Sequence, residues 1–212
     1  MFMTEDEYKE TLDLLSKKRE PNMLLKELIT WAKEVLQVDV YNYLCDYTSN
    51  GLKRLRLVLW DYAVEQKMYD GPNFDMNKQK AVADKFAELA RANQLHQDYW
   101  DANDVFVCYE TICDEIQKDI LKGVRNEITS IKHPDIWNIE VFFQSIHIFY
   151  ETNEQITCNN ENGVSENIKN QCTQIVKKFD QYNVFPDGAI CKFTSHQTLD
   201  EEYAGSTYYY FR

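Results

Sequence analysis

The first part of the chain shows the spacing of apolar and polar residues that is typical of helices. Thr4 and Glu7 have the positions of a capping box, and Leu12 and Leu15 follow on one face of the helix that it would begin. Apolar residues then recur with the helical period over residues 24–36. The sequence therefore predicts a pair of N-terminal helices.

The period changes to two after these helices, which indicates β-strands. Apolar and polar residues alternate over 39–47 and again over 53–61, and Asn50 and Gly51 between them suit a tight hairpin turn. A helical pattern and then a short apolar strand at 105–109 follow. We therefore predict a hairpin, a helix and a third strand, in that order.

The same order recurs in the second half of the chain, after a further predicted helix. Strands are predicted at 137–143 and 146–150, a helix after the capping residue Ser165, and a third strand at 190–193. The aromatic residues at 207–211 predict one more strand at the end of the chain.

Together these elements predict an α+β fold. It contains two antiparallel β-sheet units, each covered by a helix, which lie side by side or share one continuous sheet. An internal duplication would explain their common order. We expect an N-terminal helical segment at 1–38, a first sheet-plus-helix unit at 39–132 and a second at 133–212, or one compact domain.

The balance of charges narrows the range of partners. The chain has 23 basic and 35 acidic residues, which gives a formal net charge of −12. Nucleic acid and anionic membrane surfaces are negative, so we expect neither as a partner. A basic protein is the partner that this charge favours, because opposite fields accelerate encounter. The alternative is that the net charge only keeps the protein in solution.

Acidic residues in three places are candidates for binding a basic partner. Three aspartates recur at every third position before the 105–109 strand, two like-charge pairs have i,i+4 spacing on the helix predicted after it, and two glutamates lie near the C-terminus. Two tyrosines on one face of the predicted final strand join them. The predicted partner-binding residues are Asp98, Asp101, Asp104, Glu110, Asp114, Glu115, Asp119, Glu201, Glu202, Tyr208 and Tyr210.

The like-charge pairs are the main reason to expect an acidic ridge. Glu110/Asp114 and Glu115/Asp119 would each destabilise an isolated helix by about 0.2–0.5 kcal/mol. A chain that keeps such repulsion is expected to present it to a cationic partner. A solvated helix face without a binding role is the alternative.

The sequence contains no motif for catalysis or for a cofactor. It has no glycine-rich phosphate loop, no G-x-S-x-G sequence and no Cys/His set at zinc spacing. His147 beside Cys191 and Asp180 would form a thiol nucleophile site, but only if the fold brings the three together. We therefore expect a protein that is not an enzyme, with no cofactor and no metal.

The cysteines and the N-terminus bear on the compartment. The six cysteines form no C-x-x-C pair, and most of them lie within apolar patterns that are typical of core residues. The first residues lack the apolar run of a signal peptide, and no stretch approaches the length of a membrane span. We therefore predict a cytoplasmic protein with reduced thiols.

Three segments of the second half carry a resemblance to a known family. They are residues 148–152, a helix with 177–180, and the tail 203–210. In their order and aromatic strands they resemble the small acidic immunity proteins of bacterial polymorphic toxin systems, of the antitoxin YezG-like type. The resemblance covers 137–212, with a fainter likeness at 39–110. It implies a cytoplasmic protein without catalytic residues that blocks a cognate toxin domain.

Two other functions stay open at this point. One is a structural or adaptor protein without a toxin partner. The other is a small-molecule binding domain or a hydrolase without a known motif, which a deep pocket with convergent polar groups would favour.

Overall fold

The structure, a computed structural model, describes residues 3–212. The α+β class predicted from the sequence is confirmed. The chain divides into two units between Cys113 and Asp114. Each unit holds one three-stranded sheet with its own helices. The division falls in the first turn of a helix, whereas the sequence pattern placed it near residue 132.

The first unit contains two N-terminal helices, a hairpin, and a third strand that follows a long helix. In chain order its elements are α1 (Glu5–Leu15), α2 (Met23–Trp31) with a π-helical extension (Ala32–Leu36), β1 (Asn42–Tyr47), β2 (Lys53–Leu59), α3 (Tyr62–Glu65), β3 (Tyr69–Asp70), β4 (Asn73–Phe74), α4 (Met76–Ala92) and β5 (Val105–Thr111). Single 3-10 turns occupy Gln66–Met68, Gln97–Tyr99 and Ala102–Asp104.

The sheet of the first unit has the order β1-β2-β5. The predicted hairpin is present as the antiparallel pair β1–β2. Strand β5 runs parallel to β2, so the sheet is mixed and not purely antiparallel as the sequence predicted. A parallel neighbour requires a long crossover, and α4 lies within the segment that provides it.

The central strand β2 supplies the core of the first unit. Leu55, Leu57 and Leu59 are fully buried and share one cluster with apolar residues of α2 and α4. Each such leucine stabilises the fold by about 1.5–3 kcal/mol relative to an exposed position. Because α2 contributes to this core, the N-terminal helices are part of the first unit.

The second unit repeats the order of hairpin, helices and strand. Its elements are α5 (Ile112–Thr129), which begins just before the division, then β6 (Ile136–Phe142), β7 (Ser145–Tyr150), α6 (Asn153–Glu161), α7 (Val164–Lys177), β8 (Cys191–Ser195), α8 (His196–Tyr203) and α9 (Thr207–Tyr210). Its sheet has the order β6-β7-β8, with β8 again parallel to β7.

One face of this second sheet packs against α7. Ile146 and Ile148 are fully buried on β7, and Cys172 and Val176 are fully buried on α7. Tyr150 is also fully buried, and its hydroxyl shares a hydrogen bond of 3.0 Å with the Ser165 hydroxyl at the start of α7. The two units therefore share one order of strands; their origin by duplication stays a prediction.

The predicted strand at 207–211 is wrong. This segment forms the short helix α9, after Ala204 and Gly205 turn the chain with φ angles of +52° and +71°. Tyr210 donates its backbone N–H to the Ser206 carbonyl at 3.2 Å. The strand preference of tyrosine depends on packing against neighbouring strands, and here Tyr210 and Phe211 instead pack on side chains of β6 and β7, against His147 and Phe142. Within residues 3–212, no helix is both long and apolar enough to cross a membrane.

Candidate functional site

Three of the predicted binding residues lie together at one end of the first sheet. Asp98, Asp101 and Asp104 are all exposed, in the segment that leads from α4 into β5. The sheet register pairs Tyr47 with Lys53, and Lys53 with Val105. The end of β1 and the starts of β2 and β5 therefore meet at the end of the sheet where the aspartates lie.

Hydrogen bonds fix the position of this aspartate segment. The Tyr47 hydroxyl donates to Asp98 Oδ2 at 3.0 Å, and this bond is the largest cause of the raised pKa of Tyr47. The buried Tyr99 donates its hydroxyl to the Asp46 carbonyl at 2.7 Å. Asp101 accepts the N–H of Asn103 at 3.0 Å and so caps the following turn. The bonds of Tyr47 and Tyr99 therefore anchor the first turn of the aspartate segment to the sheet.

Exposed apolar side chains accompany the three carboxylates. Tyr47 is 52% exposed and Phe106 is 39% exposed, although both are large aromatic residues. We call Tyr47, Asp98, Asp101, Asp104 and Phe106 the acidic end of the first sheet. Aromatic side chains next to charges are typical of protein interfaces.

The aspartates of the acidic end are not neutralised within the first unit. None of the three takes part in an ion pair with another residue of the range 3–212. Lys53 begins β2 at the same end, so one basic residue lies at this end of the sheet with the three aspartates. The surface therefore keeps a local excess of negative charge.

The prediction for Glu110 is wrong. It lies on β5 and not on a helix, and it is buried, with its Oε1 accepting from Arg56 Nη1 at 2.9 Å. The helix begins only at Ile112, so Glu110 and Asp114 are not a like-charge pair on one helix. The sequence pattern did not show this boundary, because the strand continues into the helix without a loop between them.

The predicted acidic ridge on α5 is also wrong for two of its members. Asp114 and Glu115 are half-buried in the first turn, where the helix dipole favours negative charge. Glu115 accepts from Lys118 Nζ at 2.8 Å, so its repulsion with Asp119 is offset. Asp119 alone of the three is exposed.

The remaining acidic candidates lie in the second unit. Glu201 and Glu202 are exposed on α8, and Glu201 accepts a hydrogen bond from Gln197 at 2.9 Å. Tyr208 is 64% exposed, while Tyr210 is half-buried. The tyrosines do not share the face of a strand, because they belong to α9.

A buried charge network lies on the face of the first sheet opposite to the leucines of β2, and it was not predicted from the sequence. The Arg56 guanidinium, whose side chain is 3% exposed, is bonded to Glu110, to Glu7 on α1, and to Asp46 at 3.0 Å. Arg54 adds a two-pronged pair with Asp46, at 2.6 Å for each bond, which is the largest cause of the lowered pKa of Asp46. The alternation of arginine with leucine along β2 was the signal for this network.

The proposed thiol site around His147 does not assemble. Cys191 is paired with Ile146, so it lies on the opposite face of the sheet from His147. The hydrogen bond that the Cys191 thiol donates to Cys172, together with burial, raises the pKa of Cys191. Asp180 accepts the backbone N–H groups of Val184 and Phe185 at 2.8 and 2.9 Å. Its carboxylate therefore holds a turn.

His147 instead belongs to a chain of hydrogen bonds under α9. Its Nε2 lies 2.8 Å from the Ser145 hydroxyl, and its Nδ1 lies 3.0 Å from the Tyr210 hydroxyl. Ser145 donates its proton to the Phe142 carbonyl at 3.1 Å, so it accepts from His147 Nε2. Tyr210 then donates to Nδ1. With this direction His147 does not act as a base for Ser145.

The neutral state of His147 should make the stability of the second unit depend on pH. Burial, assisted by the charge of Lys192, lowers the pKa of His147 to about 4. The unfolded chain titrates near about 6.5 and so binds a proton that the folded chain does not. The free energy of unfolding should therefore fall, by at most about 3 kcal/mol, as the pH is lowered from about 6.5 to about 4.

Urea unfolding of the second unit at about pH 7 and about pH 5 measures this effect. A His147→Gln variant should show a smaller loss between the two values, since glutamine does not titrate. An identical loss in both proteins would show that other groups cause the dependence.

No metal centre is formed by the described residues, since no three His, Cys, Asp or Glu side chains of the range 3–212 are grouped suitably. Comparison with known proteins does not assign the chain to a family. No protein-family model matches it, and neither a curated protein nor a solved structure is significantly similar to it. What the chain does is therefore inferred from its own residues and geometry.

Proposed function

We propose that this chain is a non-catalytic inhibitor that binds a basic protein domain, as an immunity protein binds its cognate toxin. The observation that carries the proposal is the acidic end of the first sheet. Its three exposed aspartates have no ion pair within the described chain, the exposed Tyr47 is hydrogen-bonded to Asp98, and the exposed Phe106 lies two residues after Asp104, on the opposite face of the sheet from Tyr47. A cytoplasmic location belongs to the same proposal.

The two kinds of side chain would act at different steps of binding. The aspartates, together with the net charge of −12, attract a basic partner before contact and so accelerate association. Tyr47 and Phe106 supply apolar area that is lost from water on contact, and aromatic residues often dominate the energy of an interface. The hydrogen bonds of Tyr47 and Tyr99 hold the surface in place in the free protein, which lowers the entropy cost of binding.

Charge reversal at the acidic end is expected to slow association. The variant Asp98→Lys/Asp101→Lys/Asp104→Lys should lower the on-rate by about an order of magnitude, because it replaces attraction by repulsion. Raising the salt concentration from about 0.1 M to about 1 M should have a similar effect on the unmodified protein, since it shortens the Debye length from about 10 Å to about 3 Å. Stopped-flow association with a purified basic toxin domain measures both.

A matched variant distinguishes this surface from net charge alone. Glu34, Glu161 and Asp187 are exposed acidic residues outside the acidic end, and their reversal to lysine changes the net charge by the same amount. The on-rate of that variant should fall much less. Equal losses in the two variants, or an on-rate that does not depend on salt, would contradict the proposed surface. Absence of a toxin gene next to this one would contradict the immunity role.

A further inference from the structure

A groove at the turn end of the second sheet has the opposite chemistry to the acidic end. We propose that this groove, bordered by Phe143, Lys192 and Arg212, binds a small aromatic anion. An aromatic carboxylate and a nucleoside monophosphate share that chemistry. This site is independent of the proposed inhibitor function and lies in the other unit.

The groove has the size of a small-molecule site. Its volume is about 440 Å³, within the range of about 300–1,000 Å³ that is common for ligand pockets. The β6–β7 turn, β8 and α9 form its walls. The hydroxyls of Ser145 and Tyr210 also line it, but their protons are donated to the Phe142 carbonyl and to His147, so the cationic side chains are the groups that attract an anion.

The charges in the groove are positive, although the chain is strongly acidic. Lys192 and Arg212 line it, and none of its lining residues is an aspartate or a glutamate. Lys192 is exposed and has no ion pair with another residue of the described range. The closest carboxylate by register, Glu140 opposite His147, is paired with Arg125 at 3.1 Å. An anion in the groove therefore meets Lys192, whose charge no ion pair cancels, while the Arg212 guanidinium lies over the Tyr208 ring with 5.3 Å to its centroid.

The aromatic side chains of the groove offer a surface for a flat ring. Phe143 has a φ of +48° in the β6–β7 turn, and its side chain is 52% exposed. Phe142 stacks on Phe211 with a centroid distance of 4.2 Å and an interplanar angle of 21°. Offset or edge contacts with such rings stabilise a bound aromatic ligand by about 0.5–1.5 kcal/mol beyond the area they bury. A ligand that carries both a ring and a negative charge fits this lining best.

Isothermal titration with matched probes tests the chemistry of the ligand. The anions are 4-hydroxybenzoate and adenosine monophosphate, and their neutral counterparts are 4-hydroxybenzyl alcohol and adenosine. Inorganic phosphate tests the charge without a ring. At low salt, at least one aromatic anion should bind about tenfold more tightly than its neutral counterpart and than phosphate. Which of the two binds distinguishes a carboxylate ligand from a phosphate ligand.

Two lysine variants locate the site. Lys192→Gln should weaken binding of the anion by about fivefold or more, whereas Lys177→Gln, at an exposed lysine on α7, should leave it within about twofold. Arg212→Gln should weaken it as well, and thermal unfolding shows that each variant is folded. The proposal is overturned if neither anion binds at millimolar concentration, if the neutral probes bind equally well, or if the two lysine variants behave alike.

Discussion

Replacing Arg56 by methionine should destabilise the first unit by about 3–5 kcal/mol. Arg56 is the positive centre of a buried network, and the side chain of Glu110, which is 4% exposed, would lose its partner. An unpaired carboxylate in such a place either stays charged at high cost or binds a proton. Urea unfolding followed by circular dichroism measures the change in the free energy of unfolding.

Two further variants show whether the unpaired charge is the cause. The double variant Arg56→Met/Glu110→Met should recover part of the loss, because it removes the buried carboxylate that would be left unpaired, while Glu7 and Asp46, which are more exposed, still lose Arg56. Arg54→Met should cost less than Arg56→Met, since Asp46 is 31% exposed and water can solvate it. If the double variant is as unstable as the single one, the unpaired charge of Glu110 is not the cause of the loss.

Replacing Phe86 by alanine should cost about 3–5 kcal/mol and should also loosen the acidic end. Phe86 is 1% exposed on α4, and its ring contacts those of Tyr43, His96 and Tyr99. Tyr99 and His96 flank the turn that carries Asp98. The cavity therefore lies directly beneath the segment of the aspartates.

Phe106→Ala is the matched control, because Phe106 is 39% exposed in the same unit. It should cost well under half as much, since less apolar area is lost from the core. Amide hydrogen exchange in residues 96–104 should become faster in Phe86→Ala and stay unchanged in Phe106→Ala. Unchanged exchange in both would show that Phe86 does not support the acidic end.

The fold was predictable where the pattern is local. The two hairpins follow from alternation on both sides of a short turn, and α1 follows from its capping box and apolar face. Helix α7 follows from its apolar face alone: the predicted cap at Ser165 is wrong, because Gly163 precedes the helix without a side-chain cap and Ser165 lies within its first turn. The direction of β5 and β8 was not predictable, because a short apolar strand has the same sequence pattern whether it pairs in parallel or antiparallel. The choice depends on how the crossover helix packs, which is a non-local property.

The candidate site was predictable only in part, for the same reason. Exposure of Asp98, Asp101 and Asp104 follows from their polar surroundings. Their position at the same end of the sheet as Tyr47 depends on the register of three strands, which cannot be derived from the sequence pattern. Glu110 was misplaced because the end of β5 and the start of α5 are adjacent, so a strand residue has the spacing of a helical one.

Strand β5 is synthesised long after the hairpin that it joins, and this delay has a consequence while the chain is still on the ribosome. Residues 60–104 are made between β2 and β5, which takes several seconds at about 5–20 residues per second. During that time the backbone N–H and C=O groups on one edge of β2 lack the strand with which they will pair. Unpaired apolar edges are templates for aggregation. The nascent chain is therefore most in need of a chaperone between completion of the first hairpin and emergence of residue 111. A similar period separates the synthesis of β7 from that of its partner β8.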